Sequence, residues 1–320
     1  MQKYIARRVL LMFPTLFILS LLVFGLMRVL PGDVAMMILS AEGGGVAAAN
    51  EKALQALREE LGLTEPLHIQ YLSWVWDVLK GDFGRSLLSN KPVVEDLLRR
   101  LPITVQLTLM GMGLSLLVGI PIGIISAIKQ NSFMDLSLRF IAILLLTAPS
   151  FWVGLLVIMV GARWFNWIPP VGYNTLWEHP KENLAQMIWP ALILAHGGLA
   201  TMARMTRSTM LEVLREDYIR TARAKGLQER TVIIRHALKN ALIPVVTLAG
   251  LTFGTLLGGT VILEFIFGIP GMGSWWIRSI LDQDYPVVQS LVLVFGGIFM
   301  LVNLGVDLLY GWLDPRIAYS

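Results

Sequence analysis

The stretch richest in chemistry-bearing side chains is 204–239, with nine basic and four acidic residues. Glu212, Glu216 and Asp217 crowd one end of an expected helix and Arg220, Arg223 and Lys225 the other, an order that matches the helix macrodipole. Gly226 is placed to close it. Ala222 and Gly226, four apart, make a small notch beside Tyr218 and the basic side chains, which suits insertion into a partner's groove. The same composition describes a basic amphipathic helix lying on anionic lipid. Elsewhere the chemistry is sparse. No G-x-x-x-x-G-K-[ST] segment and no Gly-Lys pair exists, so the chain has no phosphate loop of that kind. His68, His179, His196 and His236 lack metal-ligand spacing and cysteine is absent, so no protein-built metal site is expected. His196 lies in the middle of an apolar run, where an imidazole either lines a polar path or hydrogen-bonds a neighbouring helix.

These residues are set among elements that belong in a bilayer. The 320 residues are 55% hydrophobic and only 15% charged, too apolar for a water-soluble fold. Six stretches without Asp, Glu, Lys or Arg can cross a hydrocarbon core, which takes about 20 residues: Val9–Met27, Leu101–Ile128, Phe140–Ala162, Asn183–Ala203, Asn240–Leu263 and Tyr285–Val306. Inside lipid each must satisfy its own backbone, so all six read as helices. They hold no carboxylate ladder for a proton relay. Of 26 basic residues, fifteen fall on one side of this arrangement, and the two sides net +8 and −4. By the positive-inside rule both termini are expected in the cytoplasm, and the basic excess reflects loop topology, with no nucleic acid as partner.

Between the spans, the outer segment 31–100 is expected to be ordered. One helix would be capped by Asn50, carry Leu54, Leu57 and Leu61 and stop at Gly62. A second would run from Pro66 to Gly81, with Trp74 and Trp76 suited to the interfacial belt, and a third from Pro92 to Pro102. This segment would pack against the outer ends of the spans or contact solute. Pro121, Pro149, Pro190 and Pro244 should kink or break four spans. Gly250, Gly254, Gly258 and Gly259 form a small-residue stripe fit for a subunit interface, a channel lining or close packing within the chain. Arg28, Glu264 and Asp307 end apolar runs, where snorkelling or local salt bridges are expected. The glycines of 268–273 read as a loop.

The run Glu216-Asp217-Tyr218-Ile219-Arg220-Thr221-Ala222-Arg223-Ala224-Lys225-Gly226-Leu227, followed by Arg235-His236-Ala237-Leu238-Lys239-Asn240-Ala241-Leu242-Ile243-Pro244, resembles the cytoplasmic EAA loop of permease subunits of binding-protein-dependent ATP-binding-cassette (ABC) importers. Pro31-Gly32-Asp33, Leu61-Gly62-Leu63, Gly81-Asp82-Phe83-Gly84, Pro270-Gly271-Met272-Gly273, Asp284-Tyr285-Pro286 and Asp314-Pro315-Arg316 extend the likeness along the whole chain. Arg220 and Thr221 stand where the general pattern has Glu-Ala, and Pro244 comes late, a variant similar to that of the dipeptide, oligopeptide and nickel branch.

The resemblance implies an all-α integral membrane protein of the type I importer kind. It would be one transmembrane permease domain over 1–320, with six spans, a helical extracytoplasmic segment and a cytoplasmic coupling loop at 204–239. It implies a non-catalytic subunit in a prokaryotic inner membrane, paired with a homologous second permease and served by two ATPase subunits and an extracytoplasmic solute-binding protein. No cofactor is expected on this chain, with ATP and Mg in the partner ATPases. Coupling would fall to Glu216–Leu227, and a pathway or interface to His196, Gly250, Gly254 and Gly258. Short peptides are the expected cargo, with nickel or glutathione as variants of the same class. The competing class is an ion-driven secondary transporter.

Overall fold

The computed structural model describes residues 2–29, 51–60 and 64–313. The described residues form eleven helices: α1 (Gln2–Val29), α2 (Glu51–Glu60), α3 (Leu67–Leu79), α4 (Val93–Ile128), α5 (Phe133–Thr147), α6 (Ser150–Phe165), α7 (Pro180–Val213), α8 (Asp217–Ala224), α9 (Glu229–Phe267), α10 (Met272–Leu281) and α11 (Tyr285–Leu313). No strand occurs among them beyond one isolated bridge between Arg85 and Pro92. The expected caps Asn50 and Gly62, and the motifs at 31–33, 61–63 and 314–316, lie outside the described residues, as does the side chain of Asp307.

Five helices are long and apolar enough to cross a membrane: α1, α4, α7, α9 and α11. The third expected span, Phe140–Ala162, is instead two helices, α5 and α6, bent by 97°. Counted as one span, that pair makes six. The break is Pro149, which lacks an N–H and forces Ala148 out of the helical region to ψ 120°. Pro121, Pro190 and Pro244 sit inside unbroken helices. The helix expected to stop at Pro102 runs on into the second span as the 36-residue α4. Val93, Leu97, Ile103 and Leu107 are buried along it while Pro102 points outward, so burial overrides the proline's local preference.

By backbone contacts the described residues fall into two compact units, within Met1–Ile5, Ile103–Ser274 and Leu301–Ser320 for the first and Ala6–Pro102 and Trp275–Met300 for the second. The second unit seats α3 on α1. The Tyr71 ring meets Phe24 at 5.4 Å and Phe17 at 6.3 Å, and its hydroxyl pairs with Ser20 at 2.8 Å. This is the packing expected of the segment after the first span. Two motifs nearly 200 residues apart also meet here. The buried Asp284 carboxylate accepts from Ser86 Oγ at 2.6 Å and from the Leu87 N–H at 3.1 Å, and Ser290 Oγ donates to the Phe83 carbonyl at 3.1 Å.

The core of the first unit joins α4, α7 and α9 through Leu107, Met187, Ala191, Leu194, Val245, Leu256 and Leu263. A close glycine-lined seam lies between α4 and α7. Gly111, Ser115, Gly119 and Gly123 repeat every four residues and face Leu194, Gly198, Met202 and Thr206 with the same repeat. Ser115 Oγ donates to the Gly111 carbonyl at 2.8 Å and approaches Ala195 O of the facing helix at 3.1 Å. Where lipid supplies no hydrophobic drive between helices, such close backbone approach is the main source of cohesion.

Candidate functional site

The charged 204–239 stretch folds as the end of α7, the short helix α8 and the start of α9. Glu212 belongs to α7 and is no part of the charge gradient on α8, because the chain turns at Leu214–Glu216. Glu216 is extended (ψ 147°) and takes the N-cap position of α8 without a side-chain capping bond. The other end closes with Gly226 at φ +75°, where the Gly226 N–H donates to Arg223 O at 2.9 Å and the Leu227 N–H to Ala222 O at 3.4 Å. This is a Schellman stop, which needs the left-handed conformation glycine adopts freely.

Only Ile219 and Ala222 of α8 are buried. They pack on Met210 of α7, Ala127 of α4, and Val232, Ile233, Ala237 and Ala241 of α9. Residues 232–237 form a π-helical turn, whose wider spacing brings Val232 and Ala237 to one face. The proposed Ala222–Gly226 notch is therefore corrected. Ala222 admits the chain's own α9, and Gly226 is required by backbone geometry.

Two polar links hold α8 at its flanks. The Tyr218 hydroxyl accepts from Asn240 Nδ2 at 2.8 Å. Arg223 donates to both carboxylate oxygens of Glu229, at 3.1 Å and 2.7 Å. The hydrogen bond from that guanidinium is the main reason Glu229 is held below the ordinary carboxylate range. Arg220 pairs with Asp217 at 3.2 Å, and Thr221 Oγ1 donates to Asp217 O. Asp217, Arg220, Thr221, Arg223 and Lys225 present the exposed face, with Tyr218 and Leu227 about 40% exposed at its edges.

Behind this mount lies a cluster absent from the motif reading. Asp135 is fully buried in the first turn of α5. Its carboxylate accepts from Arg207 Nε and Nη2 of α7, both at 2.8 Å, from Ser126 Oγ of α4 and from the Asn131 N–H at 3.0 Å, with Arg139 Nε 3.4 Å away. The two hydrogen bonds from the Arg207 guanidinium, with those from Ser126 and Asn131, compensate the burial of the Asp135 carboxylate. Ser132 caps α5 by accepting the Asp135 N–H at 3.2 Å. The Ser132-x-x-Asp135 spacing marked this cap in the sequence; Arg207, 72 residues away, left no local sign.

The remaining candidates separate. His196 faces the Ile193 carbonyl of its own helix and, through Nε2 at 2.9 Å, the Ala148 carbonyl at the α5–α6 break. It is thus an inter-helix contact that satisfies a carbonyl Pro149 has left outside regular helix. His196→Leu is expected to cost about 1 kcal/mol, the loss of a hydrogen bond to a partly buried acceptor. His196→Gln, which keeps a donor, should recover most of it, as read by the thermal midpoint of detergent-purified protein. Gly250 abuts Val306 and Gly254 is buried, whereas Gly258 faces open space. Of the four stripe glycines, Gly250, Gly254 and Gly259, the last against Leu194, are thus enclosed within the chain.

Glu264 corrects another expectation. It does not snorkel; it is fully buried, and its Oε2 accepts the N–H groups of Gly273 at 2.7 Å and Ser274 at 3.1 Å. The segment read as a loop up to Gly273 opens helix α10 at Met272.

Comparison with known proteins bears on this arrangement directly. Residues 119–319 match the family model "Binding-protein-dependent transport system inner membrane component", and residues 1–108 match the N-terminal model of the same systems. The chain belongs to this family. A dipeptide transport system permease protein, DppB of Alkalihalophilus pseudofirmus, is 40% identical over 339 residues, covering 100% of both chains. The glutathione transport system permease protein GsiC of Escherichia coli (strain K12) is 40% identical over 320 residues, again covering 100% of both. A solved chain of the MetNI methionine ABC transporter shares the fold at a TM-score of 0.57 and 17% identity, covering 68% of this chain and 96% of that one. This binding-protein-dependent permease is a multi-pass inner-membrane protein.

Proposed function

We propose that the chain is the permease subunit of an ATP-driven importer of short peptides, working by alternating access as one permease domain over its whole length. Both termini would be cytoplasmic, and the partners would be a homologous second permease, two ATPase subunits and an extracytoplasmic solute-binding protein. The observation that carries this reading is the mounting of α8. Its polar, basic face is exposed, while Ile219 and Ala222 seat it on α7 and α9, the two long helices it connects. A push on that face reaches both helices through packed side chains, as rigid-body motion requires. The full-length likeness to permeases named for dipeptide and glutathione transport supports small peptides as cargo.

The test is Arg220→Glu combined with Lys225→Glu, two exposed positions on α8. Copurification of the ATPase subunits and ATP-dependent uptake of labelled dipeptide in proteoliposomes are expected to fall at least about tenfold, the effect of roughly 1.4 kcal/mol. The permease's own thermal midpoint should stay unchanged. Unaltered copurification and uptake would refute coupling through α8.

A further inference from the structure

The buried polar cluster behind α8 has a placement that stability alone does not require. Ser126, which donates to Asp135, is followed by Ala127, which packs in the apolar seat of Ile219 and Ala222. Arg207 stands six residues before the end of α7, about 9 Å at 1.5 Å per residue. Thr206, its neighbour, meets Gly123 in the α4–α7 seam. One carboxylate thus fixes the end of α4, the 129–132 turn, the start of α5 and the distal part of α7, all next to the surface on which α8 rests.

We propose that Asp135 and Arg207 are positioning residues for energy coupling. Their bidentate pair makes α4, α5 and α7 a single base beneath α8, so that a displacement of α8 moves these helices together instead of deforming the junction. The proposal rests on the permease reading above. The planar fork of arginine is what the geometry uses: two parallel hydrogen bonds restrain rotation between α5 and α7, whereas a lysine would hold the same charge by a single flexible contact.

The experiment compares wild type, Arg207→Lys and Asp135→Asn in the reconstituted importer with its ATPase subunits, binding protein and labelled dipeptide. Three quantities are read: assembled complex by gel filtration, ATP hydrolysis, and uptake per ATP hydrolysed. Arg207→Lys is expected to assemble and to hydrolyse ATP within about twofold of wild type, while uptake per ATP falls about tenfold. Asp135→Asn should lower the same ratio further. Hydrolysis and uptake that fall in parallel with the amount of assembled complex, in both variants, would show a purely structural pair and overturn the proposal, as would an unchanged ratio. Failure of the wild-type chain itself to support ATP-dependent uptake would overturn the functional reading, a different result.

Discussion

Replacing Gly123 with valine is expected to be among the most damaging single changes in this protein. A Cβ at this position would stand 2.6 Å from the carbonyl oxygen of Ala203 and 2.6 Å from Thr206 Cβ. The first of these is backbone of α7 and has no rotamer through which to yield. Relief requires the two helices to separate, which loosens the contacts at Gly119 and Gly111 in the same seam and shifts α7 near Arg207. Overpacking a close-packed core costs about 1–3 kcal/mol, and a rigid neighbour places this case at the upper end. A drop of roughly 4–5 °C in thermal midpoint should follow in detergent. Gly258→Val is the matched control, since a side chain there meets open space and should change stability by no more than about 0.5 kcal/mol. Equal losses at the two positions would contradict the seam.

Glu264→Ala carries the second large effect. The carboxylate sits against the first turn of α10, where N–H groups lack intrahelical partners. Removing it strands two buried donors and opens a void, at about 1–3 kcal/mol for each stranded group. No water is at hand within a hydrocarbon layer to replace the lost acceptor. The side chain also explains the glycines of Pro270-Gly271-Met272-Gly273. A Cβ on Gly271 would overlap the Glu264 carboxylate, and one on Gly273 would overlap the backbone of Val261. Glu264→Gln retains the volume and one acceptor and should lose about half as much. Limited proteolysis around 268–272 together with the thermal midpoint measures both variants. Glu264→Ala within about 0.5 kcal/mol of wild type would remove the clasp as an explanation.

The legible parts of the fold were those governed by neighbours along the chain. Five apolar runs became single long helices because a backbone in lipid must pair with itself. Gly226 was read as a stop, and its φ of +75° makes it one. Val232, Ile233, Ala237 and Ala241 recur near helical spacing and open the helix that runs from Glu229 through Pro244 into the fifth span, although the π-turn that serves this spacing has no sign of its own in the sequence.

Choices among equals were a different matter. Four prolines carried the same local message, and only Pro149 broke its span, at a point where His196 of another helix receives the freed Ala148 carbonyl. Two glycine series have the same near-four spacing in the sequence. The repeat at 111, 119 and 123 lies in a helix seam, while the stripe at 250, 254, 258 and 259 mixes enclosed positions with an open one at Gly258. Asp135 and Glu264 look like ordinary charges beside apolar runs, yet both are fully buried and accept hydrogen bonds from distant parts of the chain or from the next helix.

Hydropathy, helix period and chain-breaking residues thus determined that this is a helical membrane protein with a basic polar segment before its fifth span, because each of those signals acts over one or two helical turns; that it is a permease rests on the motif resemblance and the family match. Tertiary structure alone decided which side of α8 is covered, which carboxylates are buried and which glycines touch. Those outcomes depend on hydrogen bonds and steric limits between residues such as Asp135 and Arg207, 72 positions apart, whose encounter exists only once the helices have packed.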